Sequence, residues 1–137
     1  MKRTGIWALL LLLSLCCNAT ATAHTGGSFS GHWHWEHAKE ELDLYLRQTK
    51  DKIDGRHSAI GQNGLKADEV SDDQPPSITG TVSGDTAVVA FRSGFPDSNG
   101  RGKARLVLKG DTLHWKIVES SGEYYLPLRA TLTRQKH

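Results

Sequence analysis

Residues 102–118 read GKARLVLKGDTLHWKIV, two alternating apolar runs on either side of a Gly110-Asp111 pair. A two-residue loop opening on glycine suits a type II′ turn, whose backbone twist matches that of the strands it joins. The register that follows sets Lys109 opposite Thr112, Leu108 opposite Leu113, Leu106 opposite Trp115 and Ala104 opposite Ile117. Ala104, Leu106, Leu108, Leu113, Trp115 and Ile117 then share one face. The other face carries Lys103, Arg105, Val107, His114, Lys116 and Val118, so one side of the hairpin meets a core and the other meets water.

Working outward, the same theme recurs. Val82-Ser83-Gly84-Asp85-Thr86 repeats the Gly-Asp-Thr turn and sets Val82 against Ala87, Gly80 against Val89 and Ile78 against Phe91. Residues 29–35 alternate cleanly, with Phe29, Gly31, Trp33 and Trp35 on one face and Ser30, His32 and His34 on the other, as in a first strand. Residues 35–48 fit two periods: Trp35, Ala38, Leu42, Tyr45 and Leu46 make a helical stripe, whereas Leu42, Leu44 and Leu46 alternate as a strand. The neighbouring segments favour the strand, with a turn at Lys50-Asp51 and a return over residues 53–60. Residues 61–76, GQNGLKADEVSDDQPP, are nearly devoid of apolar side chains and read as a long solvated loop. A second loop, residues 92–101, has Phe95-Pro96 at its apex. After a turn at Ser120-Ser121-Gly122, Leu126, Leu128, Ala130 and Leu132 alternate in a last strand over residues 124–133, where Pro127 demands an edge or barrel-rim position.

These elements make an all-β chain: a single antiparallel up-and-down β-barrel of about eight short strands, since closure is the surest way to remove sheet edges. Leu106, Leu108, Leu113, Trp115, Ile117 and Leu128 are expected inside, with Trp33, Trp35 and Phe91 helping to fill an interior too small for a large ligand. The alternative is an α+β domain with one helix at 35–48 on an open sheet.

Lys2-Arg3, the apolar run over residues 7–13 and Ala21-Thr22-Ala23 form the charged, hydrophobic and small-residue series of a signal peptide. The run is too short to span a bilayer, which takes about 20 residues. Cleavage after Ala23 leaves 114 of the 137 residues, one domain. It removes two of 17 basic residues, leaving 15 against 15 acids, so the formal charge falls from +2 to zero and nothing attracts nucleic acid. Lipid attachment at Cys16 or Cys17 is a second route, but each follows a side chain bulkier than lipoprotein cleavage prefers. Both cysteines leave with the leader. A small exported domain without disulfides points to the Gram-negative periplasm rather than a eukaryotic exterior.

Catalytic signatures are missing from the motifs: there is no cysteine after residue 17 and no Gly-x-Ser-x-Gly elbow, so a non-enzymatic protein without a cofactor is expected. His32, His34 and His37 cluster, and cleavage would expose His24 with a free amine. An amine and the imidazoles of His32 and His34 could hold copper or zinc, but no Asp or Cys completes a recognisable spacing, and solvated surface histidines are the plainer reading. The acidic run over residues 68–73 lacks the order of a calcium loop and reads as solvated. Loop contacts on a rigid scaffold are the natural use of a filled barrel. Ser121-Gly122-Glu123-Tyr124-Tyr125 supplies flexibility, two hydroxyl-bearing aromatics and a carboxylate, and Phe95 is a second anchor. The tyrosines would serve equally well to close one barrel end with their hydroxyls wet.

Gly31-x-Trp33, Leu42-x-Leu44 running to Gln48, and Gly55 resemble the opening of calycin-type barrels, the lipocalins and avidins. The resemblance implies that Trp33 sits at one barrel end under a basic residue of the last strand, Arg129 or Arg134, and that such a barrel could carry a small ligand. Ser121-Gly122-x-x-Tyr125 is similar to the Ser-Gly-x-x-Tyr segment of bacterial periplasmic lysozyme inhibitors, also small exported barrels. The cysteines common in one branch of those inhibitors are absent here. That similarity implies a binding protein acting on a secreted or periplasmic hydrolase, as an inhibitor or immunity protein.

Overall fold

A computed structural model describes residues 27–137, so the leader and His24 lie outside the described residues. Nine strands follow in order: β1 (Gly31–His37), β2 (Glu40–Thr49), β3 (Lys52–Gly61), β4 (Lys66–Glu69), β5 (Ile78–Ser83), β6 (Thr86–Arg92), β7 (Arg101–Lys109), β8 (Thr112–Ser121) and β9 (Arg129–Arg134). All pairings are antiparallel. Strand β1 pairs with both β2 and β9, and β2 pairs with β3, so eight strands close into an up-and-down barrel, with β4 an extra strand on the part of the β3 edge that β5 leaves free. Residues 40–49 are strand, which excludes the helix alternative. No helix among the described residues is long and apolar enough to cross a membrane.

Both Gly-Asp hairpins have the expected registers, including Leu106 opposite Trp115 and Gly80 opposite Val89. Gly110 takes φ 60° while Asp111 stays out of the left-handed region, as a type II′ turn requires. One irregularity interrupts β8: Ala104 faces Ile117 but Lys103 faces Glu119, leaving Val118 as the extra residue of a bulge. The bulge resets the alternation, so Glu119 turns outward to Lys103 at 4.0 Å instead of into the core.

The interior is one apolar cluster in which Trp33, Trp115, Phe29, Leu42, Leu44, Leu106 and Leu113 are buried and Trp35 and Ile117 pack at its margin. Each buried indole is satisfied, Trp33 donating to the Phe29 carbonyl and Trp115 to the Pro127 carbonyl, both at 2.9 Å. Leu128, expected inside, is 64% exposed. The last strand begins only at Arg129, and in the irregular segment before it Leu126 turns in while Leu128 offers its carbonyl to the Ile117 amide and its side chain to water.

Residues 61–76 also depart from the expected loop. They contain a 3-10 turn (Gln62–Gly64) and β4, which pairs with β3 from Ser58 opposite Glu69 to Gly61 opposite Lys66. The remainder is fastened by arginines: Arg56 donates to the carbonyls of Ser71, Asp72 and Gln74, and Arg92 to that of Pro75. The polar composition reflects backbone satisfied by guanidinium groups, not a free segment.

In β3 and β5 two glycines let a neighbouring strand approach closer than any side chain would allow. A Cβ on Gly55 would stand 2.1 Å from the Tyr45 carbonyl oxygen, and one on Gly80 would stand 2.0 Å from that of Val88. Gly55→Ala is expected to lower stability in chemical denaturation by about 2 kcal/mol, the scale of an overpacked core site. Gly27→Ala, whose Cβ would meet only Leu108 at an ordinary 3.5 Å, is expected to change it by no more than about 0.5 kcal/mol.

Candidate functional site

The two barrel ends differ. At one end lie the tight turns after β2, β5 and β7 and a cap in which the Arg134 guanidinium sits 4.2 Å over the Trp33 ring. Arg134 also donates to the carbonyls of Ser30 at 2.5 Å and Ser28 at 2.8 Å and to Asp111 at 3.1 Å, whereas Arg129 is exposed. The opposite end gathers the longer connections, residues 62–65, 93–100 and 122–128.

The last two of these connections converge on Asp68, a fully buried carboxylate of β4. Its Oδ1 accepts from His57 Nε2 at 2.9 Å and the Gly94 amide at 2.7 Å, and its Oδ2 from the Ser93 hydroxyl at 2.7 Å and the Tyr125 amide at 2.9 Å. Four donors saturate a carboxylate. Burial alone would raise the Asp68 pKa, but the bonds from His57, Ser93 and Tyr125 outweigh it and bring the value down to about 2. On its other side His57 Nδ1 lies 2.8 Å from the Ser77 hydroxyl, whose Oγ accepts the His57 amide at 3.2 Å. Ser77, His57 and Asp68 thus form a hydrogen-bonded string of the types used in nucleophilic catalysis. All three are enclosed, with exposures of 2%, 1% and 0%, so the string braces the fold, out of reach of a substrate. The acidic run read as solvated therefore supplies the most deeply buried acid of the barrel.

Phe95 and the segment Ser121 to Tyr125, chosen separately from the sequence, meet at this end. The rings of Phe95 and Tyr125 contact edge to face at 4.9 Å, and the Lys66 ammonium lies 5.2 Å from the Phe95 centroid. Glu123 is exposed and accepts the Tyr125 phenol, which holds that phenol above its ordinary pKa. Gly122 takes φ 73°, and a Cβ there would stand 2.6 Å from Asn99 Oδ1. Ser121 is exposed at the end of β8, opposite Arg101. Tyr124 behaves differently: its ring packs on Phe91 at 5.4 Å with the hydroxyl bonded to Ser120, so it closes the barrel. A groove of about 240 Å³ runs between Gln62, Tyr125 and Leu128. Leu65 and Leu128, neither foreseen, project from this end with 81% and 64% exposure.

On the barrel wall the histidines are not simply solvated. The β1–β2 register puts His34 opposite Asp43 and His32 opposite Tyr45. Asp43 Oδ1 lies 2.5 Å from His32 Nε2 and 3.0 Å from His34 Nδ1, and the His32 ring stacks on Tyr45 at 4.4 Å. Burial pulls the His34 pKa down, but the bond to Asp43 and the charges of Asp43, Glu41 and Glu36 together hold it above the ordinary imidazole value. The Asp missing from any linear spacing thus comes from the next strand. His37 stands apart, stacked 6.4 Å from Trp35.

No family model, curated protein or solved structure matches this chain.

The Asp68 brace carries a pH signature. Its folded pKa lies below the unfolded value near 3.9, so its contribution is complete above about pH 4 and is lost as pH falls through about 2. Denaturation midpoints measured between pH 5 and 2 should show wild type losing about 2 kcal/mol more than Asp68→Asn over that interval. At neutral pH Asp68→Asn is expected to cost about 3 kcal/mol, because the amide nitrogen meets donors where the carboxylate met acceptable partners.

Proposed function

We propose that the chain is an exported, non-enzymatic binding protein whose loop end engages and neutralises a hydrolase of the cell wall. The contact between Phe95 and Tyr125 carries this reading: two aromatic side chains thirty positions apart are brought together on one exposed end, by backbone bonds to a buried carboxylate. Exposed Leu65 and Leu128 extend the apolar area, and Ser121, Glu123 and Lys66 supply a polar rim, the usual anatomy of a binding patch. Ser121 beside Arg101 offers a hydroxyl and a guanidinium to a carboxylate of the partner, the group on which glycoside hydrolases depend. The similarity of Ser121-Gly122-x-x-Tyr125 to periplasmic lysozyme inhibitors points the same way. A carrier role has less support, since Trp33, Trp115, Phe91 and the leucines pack together where a ligand would sit.

Binding would be steric: Tyr125 and Phe95 seat at the mouth of the target's cleft while Ser121 reaches a catalytic acid. The test is capture of lysozymes and periplasmic hydrolases on immobilised protein, followed by affinity measurement. A hydrolase should be retained, and the Ser121→Ala, Tyr125→Ala double variant should bind it about thirtyfold more weakly, corresponding to an anchor worth about 2 kcal/mol. Retention of no hydrolase, or equal affinity of the double variant, would overturn the reading.

A further inference from the structure

The β1–β2 wall presents a second chemistry, remote from the loop end in function and independent of it. His34, Glu41 and Asp43 each direct one ligand atom into a common space, all within 4.8 Å of one another. His32 Nε2 lies 2.5 Å from the same Asp43 oxygen that His34 Nδ1 meets at 3.0 Å. Two imidazoles and two carboxylates are a donor set of borderline softness, which suits zinc or copper rather than the all-oxygen preference of calcium and magnesium.

The scaffold favours such a centre. His32 and His34 are two residues apart on β1 and Glu41 and Asp43 two apart on β2, so pleating sends all four to the outer face, and the β1–β2 register sets His34 directly opposite Asp43. Asp43 is 9% exposed, held between its neighbours, while His34 and Glu41 are half-buried and reachable. The stacked Tyr45 ring fixes the plane of His32. We propose that His34, Asp43 and Glu41, joined by His32 beside Asp43, form a binding site for a divalent transition-metal ion of the zinc type.

The site differs from one built on the N-terminal amine and His24, because its carboxylates come from β2. Zinc ion alone is the probe, followed by calorimetry and by histidine ring resonances in nuclear magnetic resonance spectra. One zinc per chain is expected, with shifts centred on His32 and His34 and none at His57 or His114. His34→Gln and Asp43→Asn should each weaken binding by at least about tenfold, and His24→Gln and His114→Gln should leave it unchanged. The ring resonances of the wild type localise the ion without any variant, so a misfolded Asp43→Asn leaves the test intact. Absence of stoichiometric zinc binding, shifts centred on other histidines, or loss of binding in His24→Gln with retention in His34→Gln would overturn the proposal.

Discussion

A carboxylate removed from water must find its donors in the protein, and Asp68 finds four. They come from β3, from both ends of the residue 93–94 turn and from Tyr125, three parts of the chain that share no hairpin. An unpaired buried charge is costly enough that each partner is obliged to stay. The 93–94 and 125 backbone segments at the loop end are therefore fastened to a single acid lying beneath them.

The barrel spends its two ends differently. Short turns and the Arg134–Trp33 stack seal one end, with the guanidinium also bonding the carbonyls of Ser28 and Ser30. The other end is covered by Tyr124 packed on Phe91 and, above it, by the Phe95–Tyr125 pair. The two adjacent tyrosines thus pack against different partners, Tyr124 on Phe91 and Tyr125 on Phe95.

Much of this was legible in the residues, and what was not has identifiable causes. Alternation and the two Gly-Asp pairs specified both hairpin registers, because a slip of one residue would expose Leu106 or Val89. Phe95 and the Ser121 to Tyr125 segment were visible as aromatics in turn-rich surroundings. Asp68 was hidden among acids, since a saturated buried carboxylate and a solvated one have the same letter. Leu128 kept the phase of a strand that had not yet begun. The metal candidates stayed incomplete for a different reason: the turn before β2 places Ala38 at φ 55° without a glycine to announce it, so the register that lays Asp43 against His34 had no signal in sequence.

The seam of the barrel has one more consequence. Strands β1 and β9 meet in only two residue pairs, Trp33 with Arg134 and His34 with Thr133, and the arginine's bonds to Ser28 and Ser30 bridge sequence separations of 106 and 104. Each hairpin can form locally, yet the ring stays an open, edge-exposed ribbon until β9 reaches β1, so the slowest contacts to find are the ones that remove the edges.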